Sequence, residues 1–364
     1  MSETPEKSVD ILNVLKIAGA FMAFLIGSGF ATGQEIMQFF GAFGLNGILG
    51  VLIALVFLIY LCITFMRAGK ELGLRKNEDV FRHYAGKIIG TFFAWYTMIL
   101  IIAVHAIMMS GAGATLHQYY GLPEIVGSAA MAVLSMMTLL LGLNRIVEAI
   151  AGIGPVIIIM TMLIAVATLI NGDSSVSAGN DIIPTLDLLK VSSNWAFAGL
   201  LYVGLNILGM ASFLPAVGTT IKNRKDITYS SFLGPMLYSC GLILVSLALI
   251  SQVAEVNGQM IPVMALASRV LPIYGAIFAV IIFFGIYSTA TPLLWTVCAR
   301  FAEDKTPRYR ILVVTLTCVG FFGGMILPFD KLVNLIYPTI GYAGITFLVF
   351  VIAKDIRLAL KPKE

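Results

Sequence analysis

Charge is what this sequence has least of. Asp, Glu, Lys and Arg make up 12% of its 364 residues, against roughly 25% in an ordinary soluble domain. So few charges cannot shield a composition that is 59% hydrophobic, with a mean hydropathy of +0.96, so a soluble fold is excluded. CxxC spacing is also missing. Cys62, Cys240, Cys298 and Cys318 all lie within or at the ends of apolar runs. They read as small packing residues, not as a disulfide or zinc framework. There is no HExxH. The apolar stretches do not alternate with polar residues, which argues against an outer-membrane barrel. The net charge of +4 is spread over short loops, so it signals topology and not a nucleic-acid partner.

What the chain has instead is long apolar runs. Ten are evident, at about 12–42, 45–66, 88–116, 125–143, 147–171, 195–220, 227–254, 270–299, 311–328 and 331–353. A bilayer-spanning helix needs about 20 apolar residues. The expected architecture is an all-α integral membrane protein with ten transmembrane helices in a single domain, residues 1–364. The first run is too long for a signal-peptide core and is expected to be retained. Two stretches, 182–189 and 260–267, are too short to span and are expected to cover a mouth or lie at the interface.

Lys and Arg concentrate in cytoplasmic loops. With ten spans both termini share a side. Placing them in the cytoplasm puts twenty Lys and Arg inside and only Lys190, Arg269 and Lys331 outside. One span more or fewer would scramble this asymmetry. A multi-pass protein of the bacterial cytoplasmic membrane with cytoplasmic termini is therefore expected.

Spans one and six differ from the rest. Span one carries Gly27, Gly29 and Gly33 within seven residues, and span six carries Gly199, Gly204 and Gly209 beside a buried amide, Asn206. Each glycine costs a helix about 1 kcal/mol relative to Ala. The clusters sit at matching places in two halves of five spans, about 12–171 and 195–353. That pattern points to an inverted repeat with helices broken at Gly27–Gly29 and Val203–Asn206. The alternative is that the glycines let helices pack closely.

Ten spans, a five-plus-five repeat and breaks in spans one and six resemble the leucine-transporter fold. Ile26-Gly27-Ser28-Gly29-Phe30 resembles the Gly-Ser-Gly element of the amino acid–polyamine–organocation superfamily. The longer string from Gly27 to Glu35 is most similar to the YkvI family of bacterial membrane proteins. The resemblance implies a secondary transporter with a substrate site near the membrane midplane. It assigns the substrate carboxylate to Gly27, Ser28 and Gly29, at the N-terminus of an outer half-helix beginning near Phe30. It also implies a sodium site built from the carbonyls of Ala23, Ile26 and Gly285 and the hydroxyls of Ser288 and Thr289. Gly285, Ser288 and Thr289 share one helix face by their spacing; against this, membrane Ser and Thr often bond back to the preceding turn.

Glu35 lies six residues past Gly29, about 9 Å along a straight helix. A carboxylate at that depth is costly and marks a functional site by default. It could take an ammonium, gate the outer side or carry a proton, with Gln34 supplying an amide. Its alternative is a neutral carboxyl bonded to Thr32 or Gln38. His105, in a helix that lines the site of the resembled fold, is a further candidate, against a packing role. Phe197, Tyr202, Gly204 and Asn206 complete the expected substrate site.

The expected function is sodium-coupled import of a small amino-acid-like solute by alternating access. Proton coupling through Glu35 or His105 and a non-transporting ligand-sensing subunit are the alternatives. An intramembrane enzyme built on Ser28 and His105 lacks a third partner. Sodium is the only cofactor expected; the expected partners are the solute and lipid, in a monomer or homodimer.

Overall fold

The computed structural model describes residues 9–26, 28–141, 153–270 and 272–360. Among these the regular structure is entirely helical. Helices occupy all ten apolar runs, the fifth from Ile153 onward. Seven are long and apolar enough to cross a bilayer unaided, and an eighth crossing is available where Pro155–Asn171 joins Val176–Thr185 at a 91° bend. A count of ten also needs the interrupted first run and the 18-residue helix Pro307–Gly324, neither of which meets that test.

The first run is broken twice. Helix α1 (Ile11–Leu25) starts at Asp10, whose carboxylate accepts from the Asn13 amide, and ends as Ile26 leaves helical geometry. Helix α2 (Ser28–Thr32) follows, then Gly33 in the left-handed region at φ 77°, then α3 (Gln34–Phe39). Left-handed backbone strains any residue with a Cβ, so Gly33 is where the chain can turn. The interruption is thus not one unwound stretch over Gly27–Gly29 with a restart at Phe30. Helix resumes at Ser28, and a second turn lies at Gly33. Gly27 and the Ser28 side chain lie outside what is described.

Next come α4 (Leu45–Leu72), α5 (Asn77–Tyr120, bent at Gly86), α6 (Glu124–Leu141) and α7 (Ile153–Asn171). A short helix, α8 (Val176–Ile182), leads to α9 (Trp195–Thr220). Helix α9 corrects the expected break at Val203–Asn206, because it runs uninterrupted through those residues. Its glycines are spent on close approach. A Cβ on Gly204 would collide with the Gly341 backbone, and one on Gly199 with the carbonyl of Gly50. Backbones packed this tightly at Gly199 and Gly204 favour a regular helix there, which keeps its own hydrogen bonds. Asn206 Nδ2 donates to the Tyr202 carbonyl one turn back, 2.9 Å away.

The chain continues through α10 (Arg224–Ser251), α11 (Val253–Val256), α12 (Pro262–Val270), α13 (Pro272–Phe301), α14 (Pro307–Gly324) and α15 (Phe329–Ala359). The core around the broken run is built by α9 packing on α4 and α15, α10 on α1 and α4, and α5 on α13. The loops holding most Lys and Arg define a basic face. At the opposite face the two short segments act as covers. Asn180 Oδ1 accepts from the Leu45 amide at 2.9 Å, and the Gln118 amide pairs with Ile261 at 2.8 and 3.0 Å. Val263 presses on Gly33, and Arg269 joins Asp173 and Glu255.

Candidate functional site

A cavity of about 480 Å³ lies between α1, α5, α9, α13 and α15. Its inner end holds Gly29, Glu35, Asn206 and Tyr337, and it reaches Asn77, Thr296 and Arg300 at the basic face. Between these ends the walls are mostly Leu, Ile, Val, Met and Phe side chains, with the hydroxyls of Thr97, Ser212 and Thr289. A mostly apolar pocket with a few polar groups at its end is the usual form of a small-solute site.

The second turn in the first run decides where Glu35 sits. On a straight helix it would stand about 9 Å beyond Gly29. With the chain reversed at Gly33, its carboxylate folds back onto Gly29 instead. A Cβ at Gly29 would overlap Glu35 Oε2 and lie 3.0 Å from Cδ. Glu35 is buried, at 8% exposure. The Tyr202 hydroxyl faces the carboxylate. Tyr202 is also hydrogen-bonded to Tyr238, hydroxyl to hydroxyl. The rings of Phe39 and Phe40 stand 5.3 and 4.9 Å from that of Tyr202, and Phe30 stands 5.9 Å from Tyr238. This aromatic packing leaves the phenols little rotational freedom and dries the far side of the carboxylate.

Of the residues singled out in the sequence, the fold brings Gly29, Glu35, Asn206 and Thr289 to the cavity wall. Tyr202 stands behind Glu35, and Phe30 behind Tyr202 against Tyr238. Gly204 is consumed in helix packing. Phe197 lies against Tyr342 at 5.7 Å, on a different part of α9. Gln34 faces the other way, into a cleft of about 90 Å³ under the covers with Gln38, Asp187 and Asp330. His105 also turns from the cavity. Its Nδ1 meets the Ala290 carbonyl at 3.2 Å and its ring fills the space left by Gly320, so it sits between α5, α13 and α14 as a packing residue.

The five residues considered for sodium are arranged less simply. Helix α2 does pack on α13. Ser288 Oγ and Thr289 Oγ1, however, donate back to the Gly285 carbonyl at 2.7 and 3.3 Å, Ala23 is exposed, and Ile26 is buried.

The sequence reading missed Tyr238, Tyr337, Asn77 and Arg300. Tyr238 and Tyr337 belong to spans with no local irregularity to flag them. Arg300 was counted only as a topology charge.

No known family profile matches the chain. In sequence it is similar to the membrane protein YkvI of Bacillus subtilis (strain 168), 22% identical over 339 residues that cover 92% of this chain and 93% of that one. It is similar too to YyaD of the same organism, 24% identical over 326 residues, 89% and 92% of the two chains. In structure it resembles the Eremococcus coleocola manganese transporter bound to an aromatic bis-isothiourea compound. The TM-score is 0.60 at 14% identity, covering 97% of this chain and 82% of the other. It also resembles MhsT in complex with L-phenylalanine, with a TM-score of 0.56 at 15% identity over 99% and 94%. The chain has the leucine-transporter fold. The resemblance to YkvI noted in the span-one string extends over nearly the whole length, and the protein is a multi-pass membrane protein carrying that fold.

Proposed function

We propose that this leucine-transporter-fold protein is a secondary transporter for a small, partly apolar amino-acid-like solute, coupled to protons through Glu35. The observation that carries the reading is a buried carboxylate at the inner end of an apolar cavity, seated on a break in a membrane-spanning run. A carboxylate there binds an ammonium or a proton, and in either case loses a charge that is costly at that depth. Solute and proton therefore compete for, or succeed one another at, one group. The protein crosses the membrane ten times in two inverted halves, with the basic face in the cytoplasm. The cavity then opens inward, while the two covers close the outer side, which is one of the two states alternating access requires.

Manganese, the cargo named for one structural neighbour, does not suit these residues. The first break carries neither Asp nor Asn, and Glu35 is the only carboxylate among the described residues that line the cavity, whose walls are mostly hydrocarbon. Sodium coupling is the second reading, supported by Thr289 on the cavity wall and by α2 packed on α13. Proteoliposome uptake of a panel of labelled amino acids separates the two. A proton gradient at constant sodium is expected to drive accumulation, and Glu35→Gln to abolish that drive. Accumulation driven by a sodium gradient at equal pH, and weakened by Ser288→Ala, would instead place the coupling at the sodium set.

A further inference from the structure

We infer a second solute site at the cytoplasmic mouth of the cavity, where Arg300 and Asn77 hold the carboxylate and ammonium of an amino-acid zwitterion. The inference rests on the solute class proposed above. Arg300 and Asn77 both line the cavity. The Arg300 guanidinium lies 5.0 Å over the Trp95 ring, which orients it without using its N–H donors. Its nearest anion, Glu78, is 3.6 Å away, too long for a hydrogen bond, and Glu78 is engaged at 2.6 Å by Arg82. A planar guanidinium with donors facing a cavity is matched to a carboxylate. Beside it, Asn77 Oδ1 is buried and has no hydrogen-bond partner among the described residues. A buried acceptor left unpaired is costly, and because Asn77 lines the cavity a turn of its amide would bring the oxygen to an ammonium there. One cation and one orphan acceptor at the same mouth describe the two ends of a zwitterion.

This is not the Glu35 site reached from its other end. Thr289, on the cavity wall in the helix that packs on α2, is eleven residues before Arg300, about 16 Å along the helix axis. The two charged groups of an α-amino acid are only a few ångströms apart, so one molecule cannot bridge both places. The solute occupies them in turn, at Glu35 and then at the mouth.

The test is equilibrium dialysis of purified protein against each of the twenty common L-amino acids. The amine left by removing the carboxyl group of the tightest-binding one is the second probe. Two molecules of the amino acid per chain are expected, but only one of the amine. Arg300→Gln is expected to reduce the amino acid to one. Arg300→Lys, which keeps the charge, should weaken the second site about tenfold without removing it. Glu35→Gln should leave one, at the mouth. Glu78→Gln removes the carboxylate shared by Arg82 and Arg300 and should leave two. A wild-type stoichiometry of one that depends on Glu35 and ignores Arg300→Gln overturns the mouth site while sparing the proposed function. Loss of the second molecule in Glu78→Gln as well would make Arg300 a structural tie, and would also overturn it. If no amino acid binds, both readings fall.

Discussion

Adding one methyl group at Gly29 is the sharpest probe of how Glu35 is seated. The Cβ of Gly29→Ala would overlap Glu35 Oε2 and stand 3.0 Å and 3.2 Å from Cδ and Cβ of the same side chain. Two responses are open. If Glu35 stays, the site is overpacked, at a cost of about 1–3 kcal/mol. If it swings away, it gives up its place against the Tyr202 hydroxyl, a polar contact to a charged group of about 1.5–3 kcal/mol. Either way about 2 kcal/mol is lost from the state that seats Glu35, close to a thirtyfold loss of solute affinity at 1.4 kcal/mol per decade. Gly19→Ala on α1 is the control. A Cβ there meets nothing within 4 Å, and uptake should not change. The double variant Gly29→Ala with Glu35→Asp shortens the carboxylate by one methylene and should recover part of the loss. Initial uptake rates over a solute titration, with thermal unfolding of each purified variant, give the comparison. Wild-type affinity and pH profile in Gly29→Ala would refute the seat and the role built on it.

Other substitutions test the frame around that seat. Gly204→Leu should force α9 from α15 and destabilise the protein by about 1–3 kcal/mol or more, read as a lower melting temperature in detergent. Asp226 is buried and accepts from the Asp10 amide at 3.2 Å and Asn13 Nδ2 at 3.0 Å, which anchors the start of α1. Asp226→Ala should cost about 1–3 kcal/mol and make that start more susceptible to protease. Gly33→Ala meets both left-handed backbone and Val263, so it should loosen the α12 cover, measured as faster labelling of a cysteine placed at 259. Ser288→Ala and Thr289→Ala remove only bonds to the Gly285 carbonyl. Uptake should stay the same when sodium is replaced by choline, before and after either change.

Composition and the run of apolar stretches are enough to read an all-helical membrane protein, because the bilayer accepts no other use for so much hydrocarbon in runs of that length. The sequence also locates an interruption in span one and marks Glu35, since a carboxylate beside helix-breaking glycines inside an apolar run is costly to bury. What glycine content cannot say is whether a cheap break is taken. Spans one and six carry similar clusters, yet only the first is broken. In α9 the backbones of α4 and α15 occupy the space that Gly199 and Gly204 leave open, and that occupancy is a property of neighbours far along the chain. The same holds for direction. His105 and Gln34 are polar residues in apolar runs like Glu35, but helix rotation and the turn at Gly33 send His105 to Gly320 and Gln34 to the cleft beside Asp187 and Asp330. The Ser288 and Thr289 hydroxyls share a face as their spacing requires, while their bonds to Gly285 are settled by local rotamers. Tyr337 and Arg300 reach the cavity, and Tyr238 reaches Tyr202, because α15, α13 and α10 converge on the broken run. No feature within their own spans foretells it, since which helix faces meet is decided only when all of them pack at once.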